Sequence, residues 1–380
     1  MIAYECPEFG DGLYDFIPIG MTPPRKTTSL YSLEPIGVGT PFVESLASYL
    51  TRLAAAHMLP MSAMLRLVIG PCLPRDNHNF GKVIGRQGIV VNMNGIGQEA
   101  LDMVDALEML TGRSGLDRLT MLPFSNLLAK YKLQKQASFW CPYCLNEQRA
   151  SGQLVHYPLF WSLKMASKCP IHRCYLQTRC PHCTSVQPVI GSRSVVGYCN
   201  SCKEWLGDGA KKKTWTTRVD ENDFFLRLFE WHNTVGHKRE QPTFPSVLEY
   251  LIGSHMKKHD AKSLARLLHL PDSIIEELLE ERMLPALGVV FWIGQVFKVD
   301  PFDLLTKSGE EMAAKDVATV AKGNYSAFDQ NRVDWKQLEG VLRDVASGKA
   351  SAMRVEDIAR VYRCPTSELI RRYPEYCCGI

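Results

Sequence analysis

The chain contains no run of about eighteen uncharged apolar residues, so no membrane span is expected. Its opening, "MIAYECPEFGDG", has neither a basic start nor an apolar core and does not read as a secretory signal. No Walker A pattern GxxxxGK[ST] occurs, which argues against a P-loop ATPase. No internal repeat of solenoid type is present, and the net charge of +4 is too small to name a partner. What is plentiful is cysteine. Thirteen cysteines without an export signal point to a reducing cytosol, and to metal rather than disulfides. At 380 residues, 46% hydrophobic and 22% charged, the chain has room for two or three globular domains.

Charge is unevenly spread. Residues 140–219 hold eleven Lys or Arg against three Asp or Glu, an excess of +8 that leaves the remainder at −4. Such a segment suits nucleic acid, and it equally suits solvated lysines on a small domain.

The pattern predicts a mainly α protein with an inserted zinc-binding region. Residues 1–39, rich in Pro and Gly, read as an irregular arm lying on another surface. A helical domain follows over 40–137. In "GTPFVESLASYLTRLAAAH", Thr40 is placed as the cap and Pro41 in the first turn, with Val43, Leu46, Ala47, Leu50, Leu53 and Ala54 on the inner face. "QEALDMVDALEMLTG" gives a second helix, with Leu101, Val104, Ala106, Leu107 and Leu110 inside and Gly112 as its stop. "LDRLTMLPF" reads as a short helix ended by Pro123. Between them "VIGRQG", residues 83–88, resembles the Gly-x-x-Gly loop of KH domains but lacks the flanking strand and helix, and reads as a loop. A tandem zinc-finger domain is expected over 138–206, a linker over 207–219, and a helical domain with helix-turn-helix-like units over 220–380.

The chemistry lies in four pairs within 62 residues: Cys141 with Cys144, Cys169 with His172, Cys180 with Cys183, and Cys199 with Cys202. A Cys-x-x-Cys turn supplies two thiolates from one knuckle, and two knuckles close a tetrahedral zinc site. Fifteen residues between Cys183 and Cys199 are zinc-ribbon spacing; twenty-four between Cys144 and Cys169 make a longer loop. Sequential pairing then gives one site of three cysteines and a histidine and one of four cysteines, with a cross-braced pairing as the alternative. Cys174 and His182 are left spare. The block 140–206 has only Glu147 and Glu204 as carboxylates, and no HExxH or HxE pattern occurs. Two filled sites cannot activate water, so both zinc ions are expected to be structural and no catalytic residue is assigned.

The order of these pieces resembles the TniQ family, target-selection subunits of bacterial transposons that encode a TnsABC-type machinery. The resemblance is carried by "ESLASYLTRLA" at 44–54, "LTGRSGLDRLTMLPF" at 110–124, "FWCPYCL" at 139–145, "FWSLKMASKCPIHRCYLQTRCPHC" at 160–183 and "YCNSCKEWL" at 198–206. It implies the sequential ligand sets. It also implies a non-enzymatic adaptor in a bacterial cytoplasm. One surface would engage a target-recognising element, a CRISPR RNA-guided complex with its guide RNA or target DNA. Another would recruit a TnsC-like AAA+ ATPase, and a second copy of the chain is a further candidate partner. Relatives of the TnsD kind instead read a fixed DNA site.

The C-terminal third bears on that choice. Residues 261–305 resemble a Cro/repressor-type helix-turn-helix set, with Ala265, Leu268 and Leu270 packing on Ile274, Ile275, Leu278 and Leu279. Its second helix carries Asp272, Glu276, Glu277, Glu280 and Glu281 against Arg282, which opposes contact with phosphates and favours a structural or protein-binding role. A second unit, 355–376, offers Arg360, Arg363, Arg371 and Arg372 as candidate nucleic-acid contacts; ordinary surface arginines on a helical hairpin are the alternative.

Overall fold

The computed structural model describes residues 28–74, 92–208, 221–235, 244–255, 261–268, 270–313 and scattered positions between 339 and 377. By contacts the chain divides into residues 1–295 with 299–318, and residues 296–298 with 319–380. Among the described residues helices and tight turns dominate, strand pairing is confined to isolated bridges, and no single helix is long and apolar enough to cross a membrane.

Helix α1, Leu46–Ala56, buries Leu46, Leu50 and Leu53 completely on the face that the periodicity marks. Each such side chain contributes roughly 1.5–3 kcal/mol of burial. The helix begins later than Thr40, however. Ser45 is its cap, the Ser45 hydroxyl accepting from the Ser48 N–H at 3.3 Å. Residues 43–45 are spent on a long-range pairing instead. Leu159 N–H donates to Val43 O at 2.7 Å and Ser45 N–H to Tyr157 O at 2.9 Å, which holds this stretch extended. Thr40 closes a local turn, donating to Gly37 O and accepting from Phe42 N–H.

Fully buried Glu44 anchors that junction. It receives a two-pronged pair from Arg52 at 2.8 and 2.7 Å and the Ser48 hydroxyl at 2.8 Å. Residues 28–34, at the end of the N-terminal arm, touch the helices. Leu30 is buried and its N–H reaches Leu110 O at 2.9 Å, while Arg113 holds Ser32 O.

Helix α2, Gln98–Thr111, ends at Gly112 in the left-handed conformation, φ 65°, where a side chain is strained. Val104, Ala106, Leu107 and Leu110 are buried, but Leu101 is 40% exposed, at the edge of the apolar face rather than in it. "LDRLTMLPF" is two 3-10 turns, Leu116–Leu119 and Leu122–Phe124, and Pro123 opens the second rather than ending the first. Proline fits the second position of that turn because the N–H groups of a first turn have no partner within it. Helix α3, Pro142–Ala150, follows.

Among the described residues seven further helices follow: α4 (Glu221–Val235), α5 (Phe244–His255), α6 (Ala261–Leu267), α7 (Asp272–Leu279), α8 (Leu287–Phe297), α9 (Pro301–Thr306) and α10 (Gly309–Ala313). Phe229 of α4 meets Phe124 edge to face at 5.8 Å, and Ala129 N–H donates to Pro285 O at 2.9 Å, so this layer is seated on the N-terminal helices. Asp300 caps α9 by accepting from Phe302 N–H and pairs with Arg227 of α4 at 2.6 Å. Helices α6 and α7 pack on Leu264, Ala265, Leu268, Ile275 and Leu278, all buried; Leu270, Ile274 and Leu279 are half-buried. In the smaller unit, Arg343 pairs with Glu339 at 2.6 Å.

Candidate metal centres

Three of the four ligand pairs are knuckles built to one backbone plan. The N–H groups of Cys169, Cys180 and Cys199 donate to the carbonyls of Cys174, Ser185 and Glu204 at 2.8, 3.0 and 2.9 Å. In return, Arg173, Thr184 and Lys203 N–H groups donate to the carbonyls of those cysteines at 3.0, 3.0 and 3.1 Å. Arg173, Thr184 and Lys203 all take the left-handed conformation, φ 48°, 59° and 67°, which turns the chain back on itself. Bridges Lys168 to Tyr175, Arg179 to Val186 and Tyr198 to Trp205 close each hairpin. Gly197 lets the Trp205 ring lie directly on the backbone, where a Cβ would come within 2.3 Å of it.

The first pair departs from the knuckle expected of it. Cys141 caps α3 and Cys144 sits in its first turn, with Pro142 setting the opening. Both thiols therefore lie at the positive end of a helix; hydrogen bonds from Cys144 and Cys169 draw the Cys141 thiol down, while those from Cys141 and Cys169 and burial push the Cys144 thiol up.

These elements bring Cys141, Cys144, Cys169 and His172 together, and Cys180, Cys183, Cys199 and Cys202 together, each set with its ligand atoms within 4.8 Å of one another. In the first cluster Cys144 Sγ is 3.6 Å from Cys169 Sγ, and His172 Nδ1 is 3.3–3.7 Å from the three sulfurs. In the second, Cys180 to Cys202 and Cys183 to Cys199 are both 3.6 Å. A tetrahedral zinc requires edges of about 3.8 Å between sulfurs and about 3.6 Å from sulfur to nitrogen, given Zn–S near 2.3 Å and Zn–N near 2.0–2.1 Å. The donor sets fit such an ion, and four donors leave it no place for water.

Cys174 lies outside the first group of four, buried, with its sulfur 3.5 Å from Cys141 Sγ. His182 points away from the second cluster, 3.2 Å from Asp208 Oδ2. The candidate contacts Arg360, Arg363, Arg371 and Arg372 lie outside the described residues, as do "VIGRQG" and the chain from 209 to 220.

Two supporting side chains escape a reading of ligand spacing. Glu147 Oε1 lies 2.7 Å from His172 Nε2, so the carboxylate accepts from that nitrogen and leaves Nδ1 facing the sulfurs. Burial works to lower the His172 pKa, but the Glu147 hydrogen bond and neighbouring thiols outweigh it and raise it. The signal for Glu147 was its position: Cys141, Cys144 and Glu147 repeat every three residues at the start of one helix. At the second cluster, buried Gln187 donates to Cys199 Sγ at 3.3 Å and accepts from Asn200 N–H at 2.7 Å. Burial pushes the Cys199 thiol up, but N–H groups of Cys202 and Ser201 and the Ser185 hydroxyl bring it down to about 5.

Lys135 is a third such residue. It is buried, its ammonium donates to Trp161 O at 2.9 Å and to Ala166 O, and it lies 4.2 Å from the Phe139 ring centre. Desolvation, and secondarily the charge of Lys164, lower its pKa to about 7.

The TniQ family model matches residues 35–176, from the edge of the arm through α1, α2, α3 and the first knuckle. The chain carries a TniQ domain. No curated protein matches it. The TniQ match encloses the whole Cys3His cluster and stops four residues short of the four-cysteine cluster, which begins at Cys180. TniQ proteins are transposition targeting factors, so this is a transposition-associated protein.

Proposed function

We propose that the protein is a non-enzymatic adaptor that selects transposon insertion sites. It holds a target-recognising element, a CRISPR RNA-guided complex, on one surface and recruits a TnsC-like AAA+ ATPase with another. The observation that carries this reading is the TniQ match over a region whose only metal-binding chemistry, among the described residues, is a Cys3His set that supplies all four donors of a tetrahedral site. The ions in both clusters are zinc, chosen by thiolate and imidazole donors at tetrahedral spacing, and they are structural. Direct reading of a fixed DNA site is the competing role, and the acidic second helix of the α6–α7 pair weighs against it. Asp272, Glu276, Glu280 and Glu281 are all exposed there, where phosphates would have to approach. Affinity capture of the tagged protein from its host tests the proposal. Guide RNA and the ATPase should be recovered together. Recovery of neither, with sequence-specific DNA shifts by the isolated protein, would overturn it.

A further inference from the structure

Residues 118–146 contain Arg118, Lys130, Lys132 and Lys135 and no Asp or Glu, so the basic excess counted from Trp140 starts earlier in the chain. In the fold this stretch borders an open groove of about 330 Å³, whose lining includes Lys130, Tyr131, Lys132, Gln134, Gln136 and Lys164. The groove lies outside both metal clusters and does not depend on the adaptor reading.

Its rim is a tight turn. Leu133 N–H donates to Lys130 O at 3.3 Å, which puts Tyr131 and Lys132 at the two central positions. Lys132 has φ 51°, a conformation that favours glycine or asparagine at that place in a turn. Tyr131 beside it is 65% exposed, with the Lys132 ammonium 5.0 Å from its ring centre. Lys164 is brought alongside because its N–H donates to Leu133 O at 2.8 Å, next to the Gln134–Leu163 bridge. Lys130 is partly neutralised by Glu99 at 2.9 Å, while no carboxylate pairs with Lys132 or Lys164 among the described residues. On the groove wall, buried Gln134 Oε1 accepts no hydrogen bond, although its amide nitrogen is held by Asn92 at 2.8 Å.

We infer that this groove binds a single-stranded nucleic-acid segment. Lys132 and Lys164 contact successive phosphates, an unpaired base stacks on Tyr131, and a base N–H or ribose hydroxyl satisfies Gln134. Aromatic platforms flanked by cations are how single strands are held without sequence preference. A duplex hides its base faces and gains nothing from Tyr131.

The test is fluorescence anisotropy of the full, zinc-loaded chain with labelled 12-nucleotide oligo(U) and oligo(dT), and with a 12-base-pair duplex, across a salt series. In Lys132→Gly/Lys164→Ala the slope of log affinity against log salt should flatten by about 1.4, or about 0.7 per lost phosphate contact. Because glycine relieves the turn, Lys132→Gly alone should melt no lower than the parent while already binding less tightly. Tyr131→Ala should weaken single strands about fivefold or more with the slope unchanged, and should leave the duplex unaffected. A preference for oligo(U) over oligo(dT) would assign the Gln134 oxygen to a ribose hydroxyl; equal binding would assign it to a base. The charge-matched Lys262→Ala/Arg266→Ala, on α6, should leave the slope as in the parent. Equal flattening in both double variants would overturn the inference. So would a slope that neither changes, or groove variants that alter capture of polyglutamate peptide but not of the oligonucleotides.

Discussion

The two clusters use nearly the same ligands but differ in cover: Cys180 and Cys199 of the second are as buried as the cysteines of the first, while Cys183 and Cys202 are not. The first is sunk into the TniQ region: Cys141, Cys144 and Cys169 are buried, and the His172 side chain is 10% exposed. One of its ligand pairs comes from a helix and the other from a knuckle. The second cluster is two knuckles facing each other, with Cys183 exposed and Cys202 half-buried, beyond the end of the TniQ match. The difference teaches that equal ligand spacing does not mean equal structural weight. The first ion would tie α3 to the segment that pairs with α1. The second would mainly hold its own hairpins.

The largest effect expected from this contrast is on stability. Cys169→Ser and Cys180→Ser should each lose one zinc, but Cys169→Ser should also lower the melting of the whole helical layer. Structural zinc supplies about 10–16 kcal/mol to isolated fingers, so losing the buried ion should remove more than about 5 kcal/mol. Cys180→Ser should leave α1 and α2 protected in amide exchange. Equal loss of protection in both variants would break the comparison.

A second test lies in the buttress of the first cluster. Lys135 clamps residues 161–166, the lead into the Cys169 knuckle. Its folded pKa is about 7 against an ordinary 10.5. Above pH 7 the folded protein has released this proton while the unfolded chain still holds it. Stability should therefore rise from pH 7 towards pH 10, by on the order of a few kcal/mol from this group. Below pH 7 it contributes no slope. Denaturant titrations of parent and Lys135→Met should diverge across that window and run parallel below it; parallel curves throughout would show that the lysine keeps its charge.

The smallest effect concerns orientation. Glu147→Gln removes the carboxylate that fixes His172 and should weaken zinc at the first cluster about 10- to 100-fold, leaving the second unchanged. Competition with a chromogenic chelator reads the two affinities separately.

Much of this was legible in the sequence where the cause is local. Repeats of three and four locate the inner faces of α1 and α2, and Gly112 marks where α2 stops. Three Cys-x-x-Cys pairs and one Cys-x-x-His pair bring out the eight residues that the fold gathers into two groups. What escaped has distant causes. The start of α1 depends on residues 157–159, more than a hundred positions away. Nothing near Cys141 announces that its pair is helical until "PYCLNEQRA" is seen to continue as α3. A lysine between two glutamines reads as surface, and only the fold shows Lys135 buried between two carbonyls. The packing of α6 on α7 follows from apolar spacing, whereas what their acidic outer face touches does not.

Counting zinc per chain by plasma emission in the parent, Cys174→Ser and Cys180→Ser tests the central claim most directly. Two, two and one are expected, because Cys174 packs beside the first cluster without belonging to it. A single ion in Cys174→Ser, or equal zinc in the two variants, would contradict the account.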